Sequence, residues 1–220
     1  MSCLVIAHRG ASHDERENTI AAFERAIAIG ADYVELDVQA AADGTLVVFH
    51  DVLLDRLTPL RGPLRARRAA ELAEVGIPTL EQVLELTRGR IGRMVEVKGA
   101  WRAPRQDVAR RTAALLAEDD VLLSFERRAL LEARAARPSL RVLQHVRPAA
   151  SIRAAAAYAW GVGFADARVT KRGVGAAMRH GLVPLVYTVN EPERMRALAA
   201  SGVAGIFTDR PDLARRTLGG

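Results

Sequence analysis

Short runs rich in Val, Ile and Leu alternate along this chain with Ala/Leu/Arg segments of helical spacing, and no other feature restricts the fold as much. Strand-like runs fall at 3–8, 32–38, 93–98, 120–125, 140–146, 161–165, 183–189 and 204–208. Helical spacing covers 19–29, 79–89, 104–118, 126–137, 149–159, 170–180, 191–201 and 211–218. Helix ends carry their own signals. Thr79 with Gln82, and Asn190 with Glu193, read as capping boxes, which satisfy the orphan N–H groups of a first turn. Gly30, Gly181 and Gly202 each follow a helical stretch, where a left-handed residue closes the last turn. Eight strands alternating with eight helices in 220 residues predict a TIM-type (β/α)8 barrel forming a single domain over 1–220. A dinucleotide-binding open sheet is disfavoured, because no G-x-G-x-x-G follows the first strand.

One segment breaks the alternation. Between Val38 and Thr45 lie only Gln39-Ala-Ala-Ala-Asp-Gly44, too short for the crossover that parallel strands need. Asp43-Gly44 is a hairpin turn signal. Residues 45–50 are therefore expected as an extra antiparallel hairpin strand folded back on strand two, bringing His50 roughly opposite Glu35 at one mouth of the barrel. The irregular excursion from Asp51 to Gly76 is expected to form a short flap over the site.

Half of the residues are hydrophobic and mean hydropathy is +0.03, as in a globular chain. The apolar runs stop far short of the ~20 residues a bilayer requires, so no stable membrane insertion is expected. The N-terminus has no basic stretch ahead of its apolar run, and the lone Cys3 excludes an intramolecular disulfide; a cytoplasmic location is expected. A net charge of +6 invites a nucleic-acid reading. The basic residues are spread through helical segments, however, and no recognition motif accompanies them. Solvated helix faces explain them better, and no nucleic-acid partner is expected. Of the 32 Lys and Arg residues only Lys98 and Lys171 are lysine. A lysine beside a buried glutamate in so arginine-biased a chain suggests a need for a compact, movable ammonium.

The chemistry lies at strand ends. Glu35 and Asp37 are two residues apart in a strand and so share a face, as do Glu96 and Lys98. His8 ends the run Leu4–Ala7 and His50 ends Leu46–Phe49. Buried charges must be paired, protonated or metal-bound, and catalytic groups in such barrels gather at the C-terminal strand ends. Three carboxylates suit a hard divalent cation, Mg²⁺ or Ca²⁺; zinc is disfavoured by the lack of a closely spaced His/Cys set. The cation, Arg9 and Lys98 together would neutralise charge on a phosphoryl group. His8 and His50 would share the proton transfers. Taken singly, each has a plainer reading: carboxylates on an edge strand, a Glu96–Lys98 ion pair, a satisfied strand-end histidine. Their convergence favours a phosphate-ester site. His13, His145 and His180 are expected to have no role, with His180 at a helix C-terminus where a cation suits the dipole.

His8-Arg-Gly-Ala, Glu17-Asn-Thr with Ala22-Phe23, and Gly30-Ala-Asp-Tyr-Val-Glu-Leu-Asp-Val are followed by Asp43-Gly44, Val48-Phe-His-Asp51 and Ile77-Pro-Thr-Leu-Glu. Then come Val95-Glu-Val-Lys98, Ser124-Phe125, Thr188-Val-Asn190 and Phe207-Thr-Asp-Arg-Pro211. In this order, across nearly the whole chain, they resemble the glycerophosphodiester phosphodiesterase family. The resemblance implies a TIM-type barrel that hydrolyses a small-molecule glycerophosphodiester to sn-glycerol 3-phosphate and an alcohol. It implies His8 and His50 as the acid/base pair, Glu35, Asp37 and Glu96 as metal ligands, and Arg9 and Lys98 as phosphate contacts. Arg16 stands where a proline commonly precedes Glu-Asn-Thr, and Tyr187 where tryptophan often precedes Thr-Val-Asn. The segment from Asp51 to Pro78 is shorter than in many relatives. These departures bear on the pocket rim, with Tyr187 as a substrate contact, and hence on the alcohol group. The rival readings are a phospholipase D of the same superfamily acting on lysophospholipids, a glycosidase with paired carboxylates, and a non-catalytic basic binding module. A lipid substrate wants an apolar entrance, whereas aromatics are only 5% of the chain. A glycosidase leaves the histidines and Lys98 unexplained. Still open are Mg²⁺ against Ca²⁺, direct water attack against a cyclic phosphate, which histidine is the acid, and the oligomeric state.

Overall fold

A computed structural model describes residues 3–98, 107–146 and 152–219. Its strands are β1 (Leu4–Ala7), β2 (Tyr33–Ala40), β3 (Leu46–Val48), β4 (Gly92–Val97), β5 (Val121–Ser124), β6 (Arg141–His145), β7 (Gly161–Ala165), β8 (Val183–Tyr187) and β9 (Gly205–Thr208). Hydrogen bonding runs β1-β9-β8-β7-β6-β5-β4-β2, and β1 on β2 closes the ring. The ring pairings are all parallel. β3 lies outside the ring, antiparallel on β2 with Val38 opposite Val48. The TIM-type barrel and its extra hairpin strand are thus both present.

The period of two decides what each strand buries. Ile6, Met94, Val121, Leu123, Leu143, Leu185 and Phe207 fill the barrel interior as one apolar cluster. The alternate positions, among them Val5, Val34, Leu36, Val95, Leu122, Val142 and Ile206, pack outward with helix residues. The helices are α1 (Ile20–Ile29), α2 (Ala69–Glu74), α3 (Leu80–Thr87), α4 (Val108–Leu115), α5 (Arg127–Ala136), α6 (Ile152–Ala155), α7 (Lys171–Arg179), α8 (Pro192–Ala200) and α9 (Pro211–Leu218). The Thr79 hydroxyl accepts from the Gln82 N–H at 3.2 Å, and the Gln82 side chain accepts from the Thr79 N–H at 2.9 Å, completing the expected box. Gly30 closes α1 with φ of 79°.

Three expectations need correction. The Asn190–Glu193 box does not form: α8 starts at Pro192, with Glu191 as its cap. Proline at the first helical position needs no N–H partner and presets φ, which releases the Asn190 amide for Asp209. Among the described residues the helix expected at 149–159 covers Ile152–Ala155 and ends short of 159, with 149–151 outside the described range. Tertiary bonds stop it, since the Tyr158 hydroxyl donates to Gln144 and the Tyr158 carbonyl accepts from Arg134. The helix expected from 104 likewise has its first residues outside the described range. The Asp51–Gly76 excursion, expected as a short flap over the site, packs as a lobe with a core of its own. Its Leu54, Leu64 and Leu72 form a core with Val47, Phe49 and Ile77, and it contains α2, too short to show a helical period. Among the described residues no helix is long and apolar enough to cross a membrane.

Candidate active site

Inward-facing positions beyond the apolar plug reach the mouth formed by the C-terminal strand ends. The β2–β4 register sets Asp37 beside Glu96, and β1 beside β2 brings His8 towards Glu35. Carboxylate oxygens of Glu35, Asp37 and Glu96 lie within 4.8 Å of one another, and all three residues are buried. Lys98 Nζ stands 2.5 Å from Asp37 and 2.7 Å from Glu96. Arg9 Nε is 3.1 Å from Asp37, and Arg9 Nη1 donates to Glu17 at 2.8 Å. The Arg9 backbone N–H donates to Glu35 at 3.0 Å. That contact needs the left-handed turn at Arg9 and Gly10, with φ of 59° and 82°. A Cβ on Gly10 would fall 2.7 Å from the Ala22 backbone, so only glycine lets this loop seat on α1. Asn18 donates to Asp37 at 2.8 Å from its buried amide.

These neighbours divide the carboxylates. Burial pushes Glu35 up to about 8, and the Asp37 charge adds to it against His8. Burial would raise Asp37 as well, but Lys98 and Arg9 outweigh it and hold the group far below the usual carboxylate range. Burial raises Glu96, with Lys98 opposing. An all-oxygen set of three buried carboxylates fits a hard divalent cation, which would relieve their mutual repulsion.

Each of the two site histidines is oriented by a carboxylate. His8 Nδ1 donates to Asp209 at 2.7 Å, and Asp209 also accepts from Ser12 at 3.0 Å and Asn190 at 2.7 Å. His50 Nδ1 donates to Asp51 at 2.7 Å. A carboxylate only accepts, so in both rings Nδ1 carries the proton. Their titrations diverge. Burial disfavours the charged form of His8, but the Asp209 bond and the Glu35 charge prevail and raise its pKa. Burial lowers that of His50, and Lys98 and Arg9 add to the effect against Asp37. The backbone behind His50 is fixed from β2, by the residue two beyond Asp37 on the same face. There the Gln39 amide donates to the carbonyls of Phe49, His50 and Asp51 at 2.7, 3.1 and 2.8 Å.

The opposite wall is aromatic. Tyr187 meets Phe125 and His145 edge-on, with centroids 5.8 and 4.4 Å away. His145, for which no role was expected, faces inward here, and a Cβ on Gly163 would fall 2.3 Å from its Nδ1. Burial, with Lys98 second, lowers its pKa to about 3, so it is a neutral ring. The structure therefore gathers His8, Arg9, Glu35, Asp37, His50, Glu96 and Lys98, and sets Tyr187 in the facing wall. The residue-by-residue reading missed the supporting groups Ser12, Glu17, Asn18, Asp51, Asn190 and Asp209. Their signal was present, since all but Ser12 fall inside the motifs that carry the family resemblance.

The model of the glycerophosphoryl diester phosphodiesterase family matches residues 8–213. A glycerophosphodiester phosphodiesterase of Bacillus altitudinis is 32% identical over 234 residues, covering 96% of each chain. One from Bacillus subtilis (strain 168) is 30% identical over 247 residues, covering 96% of this chain and 84% of its own. Among solved structures, a glycerophosphodiester phosphodiesterase from Agrobacterium tumefaciens str. C58 superposes with a TM-score of 0.84 at 31% identity, over 97% of this chain and 99% of that one. An Oleispira antarctica phosphodiesterase, solved with its product sn-glycerol-3-phosphate, gives 0.92 at 25% identity over 100% and 98%.

Proposed function

The chain belongs to the glycerophosphoryl diester phosphodiesterase family, and from that premise we propose that it hydrolyses glycerophosphodiesters to sn-glycerol 3-phosphate and an alcohol. The observation that carries this reading is the pair of carboxylate-oriented histidines beside a buried cluster of three acids, one arginine and one lysine. Glu35, Asp37 and Glu96 would hold a divalent cation, Mg²⁺ or Ca²⁺, which would supply Lewis-acid neutralisation of the phosphoryl charge. Arg9 and Lys98 contact the phosphate and take up charge as it builds on the non-bridging oxygens. With Nδ1 committed to a carboxylate in both rings, Nε2 is the atom at which protons move. One histidine takes the proton of the attacking oxygen, and the other gives one to the departing alkoxide. Opposite pKa shifts on the two rings suit such a division of labour. Tyr187 bounds the substrate from the aromatic wall.

A product assay tests the reading. Purified protein is offered glycerophosphocholine, other glycerophosphodiesters and a long-chain lysolipid, with Mg²⁺ or Ca²⁺. Release of sn-glycerol 3-phosphate is expected. Turnover of the lysolipid alone, or of none of them, sinks the proposal.

A further inference from the structure

The lobe between β3 and α3 sends one side chain back to the mouth. Arg56 Nε donates to Asp51 at 2.6 Å, while Nη2 and Nη1 donate to the two oxygens of Glu17 at 2.8 and 3.2 Å. The other Asp51 oxygen holds His50, and Glu17 also holds Arg9. One chain of charge-assisted hydrogen bonds therefore runs His50–Asp51–Arg56–Glu17–Arg9, and Arg9 in turn forms an ion pair with Asp37. The support under Arg56 is firm. The Leu54 N–H donates to Gly62 at 3.0 Å, and the Thr58 hydroxyl donates to Leu54 at 3.0 Å, above the lobe's own apolar core.

We propose, resting on the phosphodiesterase reading above, that Arg56 is a positioning residue locking the His50–Asp51 pair and the Glu17–Arg9 pair in one fixed relation. Half of the Arg56 side chain is exposed, and ion pairs so placed contribute little to stability. Its effect is geometric. Without it Asp51 is free to turn away, and His50 loses the partner that fixes its tautomer, as an orienting group behind a catalytic base does. A planar guanidinium reaches both carboxylates through three nitrogens at once. An ammonium is a single point and cannot.

Arg56→Ala and Arg56→Lys are assayed with glycerophosphocholine and Mg²⁺. In parallel, ¹⁵N NMR reads the His50 ring in the same proteins without substrate. Removing a group that orients a catalytic partner costs about ten- to a hundredfold in rate, so kcat should fall by that factor. KM should change far less, the melting temperature should hold, and the lysine variant should stay near the alanine one. His50 should pass from one tautomer, protonated at Nδ1, to a mixture. Unchanged kcat and tautomer overturn the proposal. So does a rise in KM alone, which would make Arg56 a substrate contact, or a rate loss that only tracks unfolding. If the native protein turns over no glycerophosphodiester, the phosphodiesterase reading fails, and the NMR arm alone decides the role of Arg56.

Discussion

Two histidines share one mouth, yet their surroundings pull them apart: Asp209 and Glu35 raise His8, while burial and two nearby cations lower His50. Residues acting in one turnover are not additive, because losing either stops the same step. His8→Ala and His50→Ala should each lower kcat on a glycerophosphodiester by roughly 10² or more, and the double variant should cost little beyond either single one. Asp209→Asn should lose about ten- to a hundredfold through His8 alone, adding nothing in the His8→Ala background. Additive losses would show that the two rings do not serve one reaction. An aryl phosphodiester, whose leaving group needs no proton, should rescue the variant lacking the acid and so assign the roles. At this scale the chemistry of single residues marked the reactive groups, whereas their holders stood out only as members of the family motifs. A charged residue inside a buried strand is conspicuous, whereas Asp209 and Asn190 sit in loops, where acids and amides are ordinary.

Elements meet at the end of the barrel remote from the chemistry as well. Arg93, near the start of β4, donates to Asp120 at 2.7 Å and to the Leu84 carbonyl at 3.1 Å. Asp120 accepts the Ala117 N–H at 2.7 Å. This buried pair ties α3, β4 and the turn entering β5. Removing one partner strands the other charge, so Asp120→Ala should destabilise the fold by about 3–5 kcal/mol. Denaturant midpoints measure the loss, and KM and kcat of the folded fraction should be unchanged. A loss below about 1 kcal/mol would mean that the pair is solvated or replaceable. The hairpin after β2 belongs to this scale too. Its turn chemistry was legible because Asp43-Gly44 and the short spacing leave one geometry: Gly44 has φ of 84°, and Thr45 donates back to Asp43 at 3.1 Å. The lobe that follows was not legible. Its core needs Val47 and Ile77, which sequence order does not group with Leu54 and Leu72.

For the molecule as a whole, the acids that meet from β2 and β4 make cation binding and proton binding compete. Burial and the Asp37 charge favour the protonated form of Glu35, pushing it up to about 8, so a cation on that oxygen competes with the proton. The sign follows. Apparent affinity for Mg²⁺ or Ca²⁺ should weaken as pH falls below about 8, and calorimetry in buffers of different ionisation heat should detect released protons. EDTA should abolish turnover, with either cation restoring it. Binding without proton release, or full activity in chelator, would remove Glu35 or the cation from the account.

By itself, the sequence determined the barrel, the hairpin strand and the positions of the reactive groups. Strand period, helix caps and turn residues are local codes, written within a few neighbours along the chain. Only the tertiary structure decided which acid is held charged and which is pushed toward protonation. It also decided which carboxylate orients each histidine, and that Arg56 reaches back to join them. Those outcomes depend on burial and on contacts such as Arg56 on Glu17, Lys98 on Asp37 and His8 on Asp209, whose partners lie tens to two hundred residues apart along the chain and are brought within 3 Å by the fold.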